Sequence, residues 1–352
     1  MDSIVHQNIT SQQRDFTADC AKGIGILLVV LCHANMIIFS PGRFFHMALF
    51  FFVSGWLSSF SNKFGSFVIA KVKHIYVPFV LTEGVLLLFN RPLASIGITT
   101  MQKNVWESIV HIICFDNTEM LLSPLWFLGV LFGANIICYA VINLFRSYPY
   151  ALAVTSGLLL FCGVFLTRNH INLPFFFEKE QLNVILVAQF FIVSGFLFKS
   201  TQIRFDKWWI ALIGVFVLVI SKGLLNLHID MRINNYSNLL LWQVCSFLGI
   251  YLTMYLSLLS HKTPLVAKTL CYLGKHSLSI FIGHIICFKL VDLLLVNGFG
   301  YNGQNLSVWG NLSFAWYWEL AYFIVGITIP LLIQYLSEYT QQKCRLPQLY
   351  QR

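Results

Sequence analysis

His33 stands eleven residues after Lys22 and fourteen after Asp19, inside the first long apolar run of the chain. An imidazole titrates close to neutrality, so it can accept a proton from a hydroxyl at physiological pH. Lipid offers no hydrogen-bond partner, so an ionisable side chain within a membrane-length segment calls for a function. At 1.5 Å rise per residue His33 lies about 16 Å beyond Lys22, roughly half the hydrocarbon thickness. At about 100° per residue, Asp19, Lys22 and His33 also share nearly one helix face. The expectation is a charged threshold leading to a proton acceptor at mid-depth.

Other polar residues fall in later apolar runs: Ser54, Glu83, Gln189, Gln243, His284 and Glu319. Each costs free energy in lipid, which is offset if they face a shared polar cavity or hydrogen-bond between helices. Uncharged Ser54, Gln189 and Gln243 fit interhelical bonding, although Ser54 is also a candidate for the substrate site. His284 and Glu319 fit either role, and Glu83 could neutralise a neighbouring cation. Lys289 and Asp292, three residues apart, are placed to pair with each other. Arg14, Lys22, Lys71 and Lys73 fall where apolar runs begin or end, and Asp19 would temper that charge. Such a cluster could hold a phosphate-bearing ligand by charge-assisted hydrogen bonds, though orientation charge is the simpler account for Lys63. Trp126 suits an interfacial aromatic belt and could also stack on a sugar ring.

Ten apolar segments are expected to position these residues: about 23–40, 44–60, 75–90, 124–145, 150–166, 182–198, 208–225, 238–260, 277–296 and 313–336. The 352 residues are 57% hydrophobic and only 11% charged, whereas soluble domains carry roughly 25% charged residues. The expected fold is therefore an all-α polytopic membrane protein, a single domain over 1–352. Of the 23 Lys and Arg, 15 fall on the side that ten spans assign to both termini and seven on the other, with Lys289 within a span. The positive-inside rule then places both termini in the cytoplasm. The net charge of +9 could suggest a nucleic-acid partner, but no Lys/Arg cluster is long enough to track a phosphate backbone. The nine cysteines form no C-x-x-C or zinc pattern, so no metal site is expected. No small-residue cleavage site follows the first apolar run, which is expected to be retained. The stretch 91–123 is expected to carry an amphipathic helix through Trp106, Ile109, Val110, Ile113 and Cys114. Phe51-Phe52-Val53-Ser54-Gly55-Trp56-Leu57 is echoed by Phe191-Ile192-Val193-Ser194-Gly195-Phe196-Leu197 in two spans expected to run the same way; a parallel repeat or convergent membrane composition would each produce it.

Taken together, these residues resemble the acyltransferase-3 family of integral membrane O-acyltransferases, in particular its fucose 4-O-acetylase-like branch. The resemblance rests on Arg14, Asp19 and Lys22-Gly23, followed by Val29-Val30-Leu31-Cys32-His33. It continues through Phe50-Phe51-Phe52-Val53-Ser54-Gly55-Trp56, Lys71-Val72-Lys73-His74 to Pro78, and Leu125-Trp126-Phe127-Leu128. It closes with Leu273-Gly274-Lys275-His276-Ser277 through Gly283-His284. The family's basic residue, ten-residue spacer and histidine are met by Lys22 and His33. Lys keeps the charge that Arg supplies in many members but lacks its bidentate fork.

The resemblance implies acetyl-CoA as co-substrate, with no permanently bound cofactor, and a hydroxyl acceptor on a carbohydrate or lipid-linked glycan of the cell envelope. It implies His33 as catalytic base and Arg14, Asp19, Lys22, Lys71 and Lys73 as the donor site. Ser54, Glu83, Trp126, His284 and Glu319 remain for the acceptor. The expected partners are the donor, the glycan and membrane lipids, and the expected location is the cell membrane, a bacterial plasma or inner membrane. A transporter or glycan exporter would use the same buried polar groups as a path, but it would be expected to show Gly/Pro-interrupted helix pairs. A structural membrane subunit would leave His33 without a role.

Overall fold

The computed structural model describes residues 15–61, 63–99, 104–115, 120–171, 181–307 and 311–349. The first helix, α1 (Phe16–His33), begins where the Asp15 carboxylate accepts the Ala18 N–H, satisfying one of the donors a helix start leaves open. It ends at His33, with Asn35 just beyond in the left-handed region at φ 64°, a conformation Asn tolerates. The first span was expected over 23–40. The true bounds put His33 in the last turn of its helix and not at mid-length, because the Asp15 cap starts the helix earlier and Asn35 stops it.

A 3-10 segment (Ile37–Phe44) then bends by 46° into α2 (His46–Leu57), and the two together make one broken span. Next come α3 (Phe64–Lys71) and α4 (Val77–Ser95), joined by a π turn over Val72–Tyr76. The turn lies just ahead of Pro78, whose missing N–H leaves the His74 carbonyl without its ordinary partner. The pair runs continuously over 32 residues, so Lys71 and Lys73 sit within a helix and not in a connection before the expected 75–90 span. The short α5 (Val105–Ile113) covers the expected amphipathic stretch. Asn104 caps it, and Val105, Trp106, Val110 and Ile113 are exposed.

The remaining helices are α6 (Trp126–Phe145), α7 (Pro149–Arg168), α8 (Gln181–Ser200), α9 (Trp208–Gly223), α10 (Leu239–Ser260), α11 (Pro264–Lys275), α12 (Ser277–Phe299) and α13 (Trp316–Leu349). A two-residue hairpin, Ile229–Asp230 with Asn235–Tyr236, links α9 to α10. Among the described residues eight helices are long and apolar enough to cross a membrane, nine with the bent pair. The remaining expected span, 208–225, falls on α9, which has only 16 residues. Apolar side chains stay exposed in rows along the outer helices: Leu81, Val85 and Leu88 on α4, Val154, Leu158, Phe161 and Phe165 on α7. Their spacing of three and four residues makes continuous stripes, which lipid covers in an all-α polytopic membrane protein.

The two echoed segments pack against each other. A Cβ on Gly55 would collide with the Ile192 carbonyl, and one on Gly195 with the Phe52 carbonyl, so equivalent residues make reciprocal contacts. The further pairs Phe60–Phe196 and Lys199 Nζ to the Trp56 carbonyl (2.8 Å) advance along both helices together, so α2 and α8 run parallel. Small residues at both positions let the backbones touch, which is how helices gain packing energy when lipid supplies no hydrophobic drive.

Candidate active site

The end of α1 carries four carbonyls with no partner inside the helix. Here every one is met. The Ala34 N–H donates to Val30 O (2.8 Å) and the Met36 N–H to Leu31 O (3.2 Å). Arg43 Nη2 donates to Cys32 O at 2.6 Å, and Asn311 Nδ2 to His33 O at 3.2 Å. A helix end so completely satisfied holds its last side chain in one place.

That side chain meets His284, which α12 brings across from the opposite end of the sequence. His33 Nδ1 lies 2.8 Å from His284 Nε2. The rings are within 9° of parallel with centroids 5.0 Å apart. The centroid separation of 5.0 Å exceeds the 2.8 Å between the nitrogens by about two ring radii, so the nitrogens sit on the line joining the centres. The imidazoles therefore meet edge to edge in nearly one plane.

The hydrogen bonds decide which nitrogens carry protons. His284 Nδ1 faces two backbone carbonyls of its own helix, Phe281 O at 2.8 Å and Ile280 O at 3.1 Å. Carbonyls only accept, so Nδ1 carries the hydrogen and a neutral His284 presents Nε2 as an acceptor. His33 must then donate from Nδ1, which leaves its lone pair on Nε2. One carbonyl pair on α12 thus fixes the tautomer of His284 and, through it, that of His33. A base oriented by a second hydrogen-bonded group is the arrangement that general-base catalysis needs.

Two further groups belong here that the sequence reading did not single out. Arg43 and His46 both lie close enough to act electrostatically on His33. His46 is buried and bonds through Nδ1 to the Gly42 carbonyl at 2.8 Å, while Arg43 is exposed and also reaches Asn35 Oδ1 at 3.5 Å. His46 opens an apolar run, so the reasoning that selected His33 could have found it.

At the other end of α1, Lys22 Nζ bonds Asp19 Oδ1 at 2.7 Å, with Asp19 almost wholly buried. Lys71 Nζ donates to Ser58 Oγ at 2.9 Å and lies 5.1 Å from the centre of the Phe67 ring. Trp56 Nε1 donates to Asp15 Oδ2 at 2.7 Å. Asp15 and Lys71 thus meet the C-terminal end of α2 two residues apart, and Lys199 reaches the same end through the Trp56 carbonyl. Lys73 is exposed, and Arg14 lies outside the described residues.

The remaining candidates divide. Ser54 exchanges hydrogen bonds with Asn135 of α6, at 3.2 and 3.4 Å, and Gln189 bonds Ser156 of α7, so both join helices. Both amide atoms of Gln243 are buried without a hydrogen-bond partner. Glu83 is buried on α4. Glu319 lies in the first turn of α13, where a carboxylate complements the helix dipole. Trp126 opens α6, half-buried, and connects to His284 through successive ring contacts of Phe127 and Phe281. Lys289 and Asp292 form the expected pair at 2.9 Å.

An acyltransferase-3 family model, described as an acyltransferase domain, matches residues 17–335. No curated protein and no solved structure matches the chain.

Proposed function

The chain belongs to the acyltransferase-3 family and is a membrane acyltransferase, and on that premise we propose that it moves an acetyl group from acetyl-CoA to a carbohydrate hydroxyl of the cell envelope. The observation that carries this reading is the His33–His284 pair, whose bonding leaves the His33 lone pair on Nε2. In the proposed reaction His33 Nε2 takes the acceptor hydroxyl proton as that oxygen attacks the thioester carbonyl. The tetrahedral adduct collapses, the carbon–sulfur bond breaks, and the thiolate of coenzyme A leaves and takes up a proton. His284 Nε2 accepts the Nδ1 hydrogen throughout and steadies the imidazolium while it exists.

Lys22, Lys71, Lys73 and Arg14, with Asp19 tempering Lys22, are the proposed donor site. They would hold the phosphates of coenzyme A at the cytoplasmic end of α1. His33 lies about 16 Å further along that helix, so the pantetheine arm would carry the thioester inward while the nucleotide stays at the threshold. The acceptor would approach from the His33 end, with Trp126 as the group available to a sugar. A fucose-like or other envelope sugar fits the family branch that the sequence resembles, and the bacterial plasma membrane would be the location.

The test is acetyl transfer from labelled acetyl-CoA to envelope glycan in membranes containing the protein. His33→Ala should reduce transfer by about 10²- to 10⁴-fold at normal protein level. Full transfer by that variant would remove His33 as the base.

A further inference from the structure

A buried ion pair stands near the His33 end and takes no part in the proton transfer. Lys289 Nζ lies 2.9 Å from Asp292 Oδ2, and both residues are almost wholly buried on α12. Asp292 Oδ1 accepts the Tyr322 hydroxyl hydrogen from α13 and the Leu312 N–H at 3.2 Å. The Leu312 N–H is also 3.2 Å from the Tyr322 oxygen. Both Asp292 oxygens are therefore committed, one to a cation and one to a backbone amide and a phenol. The residue before Leu312 is Asn311, whose Nδ2 caps the His33 carbonyl.

Desolvating two charges is expensive, and well-packed apolar residues often stabilise a fold as well as a buried ion pair does. Stability alone is thus a poor account of Lys289 and Asp292. What the pair does achieve geometrically is to pin one peptide of the connection between α12 and α13. With the Leu312 N–H fixed, Asn311 has a set reach to the end of α1. His284 and Asp292 lie eight residues apart on α12, about 12 Å along its axis. The same helix therefore holds His33 twice, at the ring through His284 and at the backbone through Asp292, Leu312 and Asn311.

We propose that Lys289, Asp292, Tyr322 and Asn311 form a positioning device that fixes the last turn of α1 and so sets the imidazole of His33 for proton removal. The proposal rests on the reading of His33 as the base. Small displacements of a catalytic group can cost up to about a hundredfold in rate, so a cap on that turn has catalytic consequences without touching substrate.

The experiment compares variants in membranes, with labelled acetyl-CoA as donor and envelope glycan as acceptor, normalised to correctly folded protein. Asn311→Asp keeps the size of the side chain but sets an oxygen against the His33 carbonyl. It should lower kcat ten- to a hundredfold and leave KM for acetyl-CoA within twofold. Asp292→Ala should do the same. The double variant Lys289→Met/Asp292→Asn removes both charges yet keeps an oxygen for the Leu312 N–H and the Tyr322 hydroxyl, and should return kcat to within threefold of the parent. In detergent, hydrogen exchange at the Ala34 and Met36 amides should quicken in Asn311→Asp and stay slow in the double variant.

An unimpaired kcat in Asn311→Asp would overturn the proposal, as would an effect confined to KM or to the amount of folded protein. If His33→Ala is inactive and Asn311→Asp is fully active, the positioning role alone falls. If His33→Ala retains transfer, the base and its positioning fall together.

Discussion

The two ends of α1 are built on opposite plans. At the His33 end every free carbonyl is bonded, two of them by side chains from outside the helix, and His33 is locked to His284 in one tautomer. At the Lys22 end the helix is held by shape. A Cβ on Gly23 would strike the Leu270 carbonyl, and one on Gly274 the Asp19 carbonyl, so α1 and α11 lie backbone against backbone. The cation there remains partly accessible, with Lys22 23% exposed. The difference matches the work proposed for each end. Proton transfer needs an immobile base in a low-dielectric site, whereas capture of a charged donor from water needs accessible charge on a firm footing.

The sharpest way to break this contrast is at His284. His284→Leu removes the acceptor of the His33 Nδ1 hydrogen and leaves the base free to adopt either tautomer and to rotate. Transfer should fall by about two orders of magnitude, a loss of about 2.7 kcal/mol of transition-state stabilisation. KM for acetyl-CoA should stay unchanged, since the proposed donor site is at the other end. His284→Gln should recover part of the rate, because its amide oxygen can accept that hydrogen. Equal rates for the two variants would show that His284 fills space and does not orient the base.

Shape dominance at the other end predicts a different failure. Gly274→Val forces α11 away from the Asp19 backbone and should destabilise the protein by about 1–3 kcal/mol, as overpacking does elsewhere. The measurement is the midpoint of thermal unfolding in detergent, read beside kcat. Loss of stability with kcat per folded molecule preserved is expected. A selective loss of kcat would mean that the α1–α11 contact governs the chemistry at His33, and the division between the two ends would collapse.

Much of this was legible in the residues themselves. Hydropathy located the membrane helices because lipid demands long apolar runs, and His33 stood out because an ionisable group is costly there. The Lys289–Asp292 pair could be read from its three-residue spacing on one helix. The bounds of α1 could not, since they depend on the Asp15 cap and on Asn35 adopting a left-handed conformation inside an unbroken apolar stretch. Both bounds lie seven residues earlier than the expected 23–40, which moves His33 from the middle of its helix to the last turn. Nor could the meeting of His33 with His284, 251 residues apart, or the reach of Asn311 be derived from spacing, because both depend on how α12 packs against α1. The family resemblance was legible as an ordered set of markers, and the match over residues 17–335 bears it out.

The smallest expected effect is at Lys22, and it needs the most careful design. Lys22→Met by itself would take away a cation bonded to the Asp19 carboxylate, which is almost wholly buried, and removing one partner of a buried ion pair is destabilising. Any loss of transfer would then mix folding with donor affinity. Asp19→Asn/Lys22→Met removes both charges and separates the two effects. In that double variant KM for acetyl-CoA should rise by about five- to tenfold, roughly 1–1.4 kcal/mol, because a partly exposed lysine bonded to phosphate works against solvent screening. The increase should shrink as salt is raised, and kcat should hold, since His33 keeps its bonds at the far end of the helix. If KM is unchanged, Lys22 takes no part in donor capture, which passes to Lys71 and Lys199 at the end of α2. If kcat falls instead, charge at one end of α1 reaches the base at the other, and the two ends must be treated as one site.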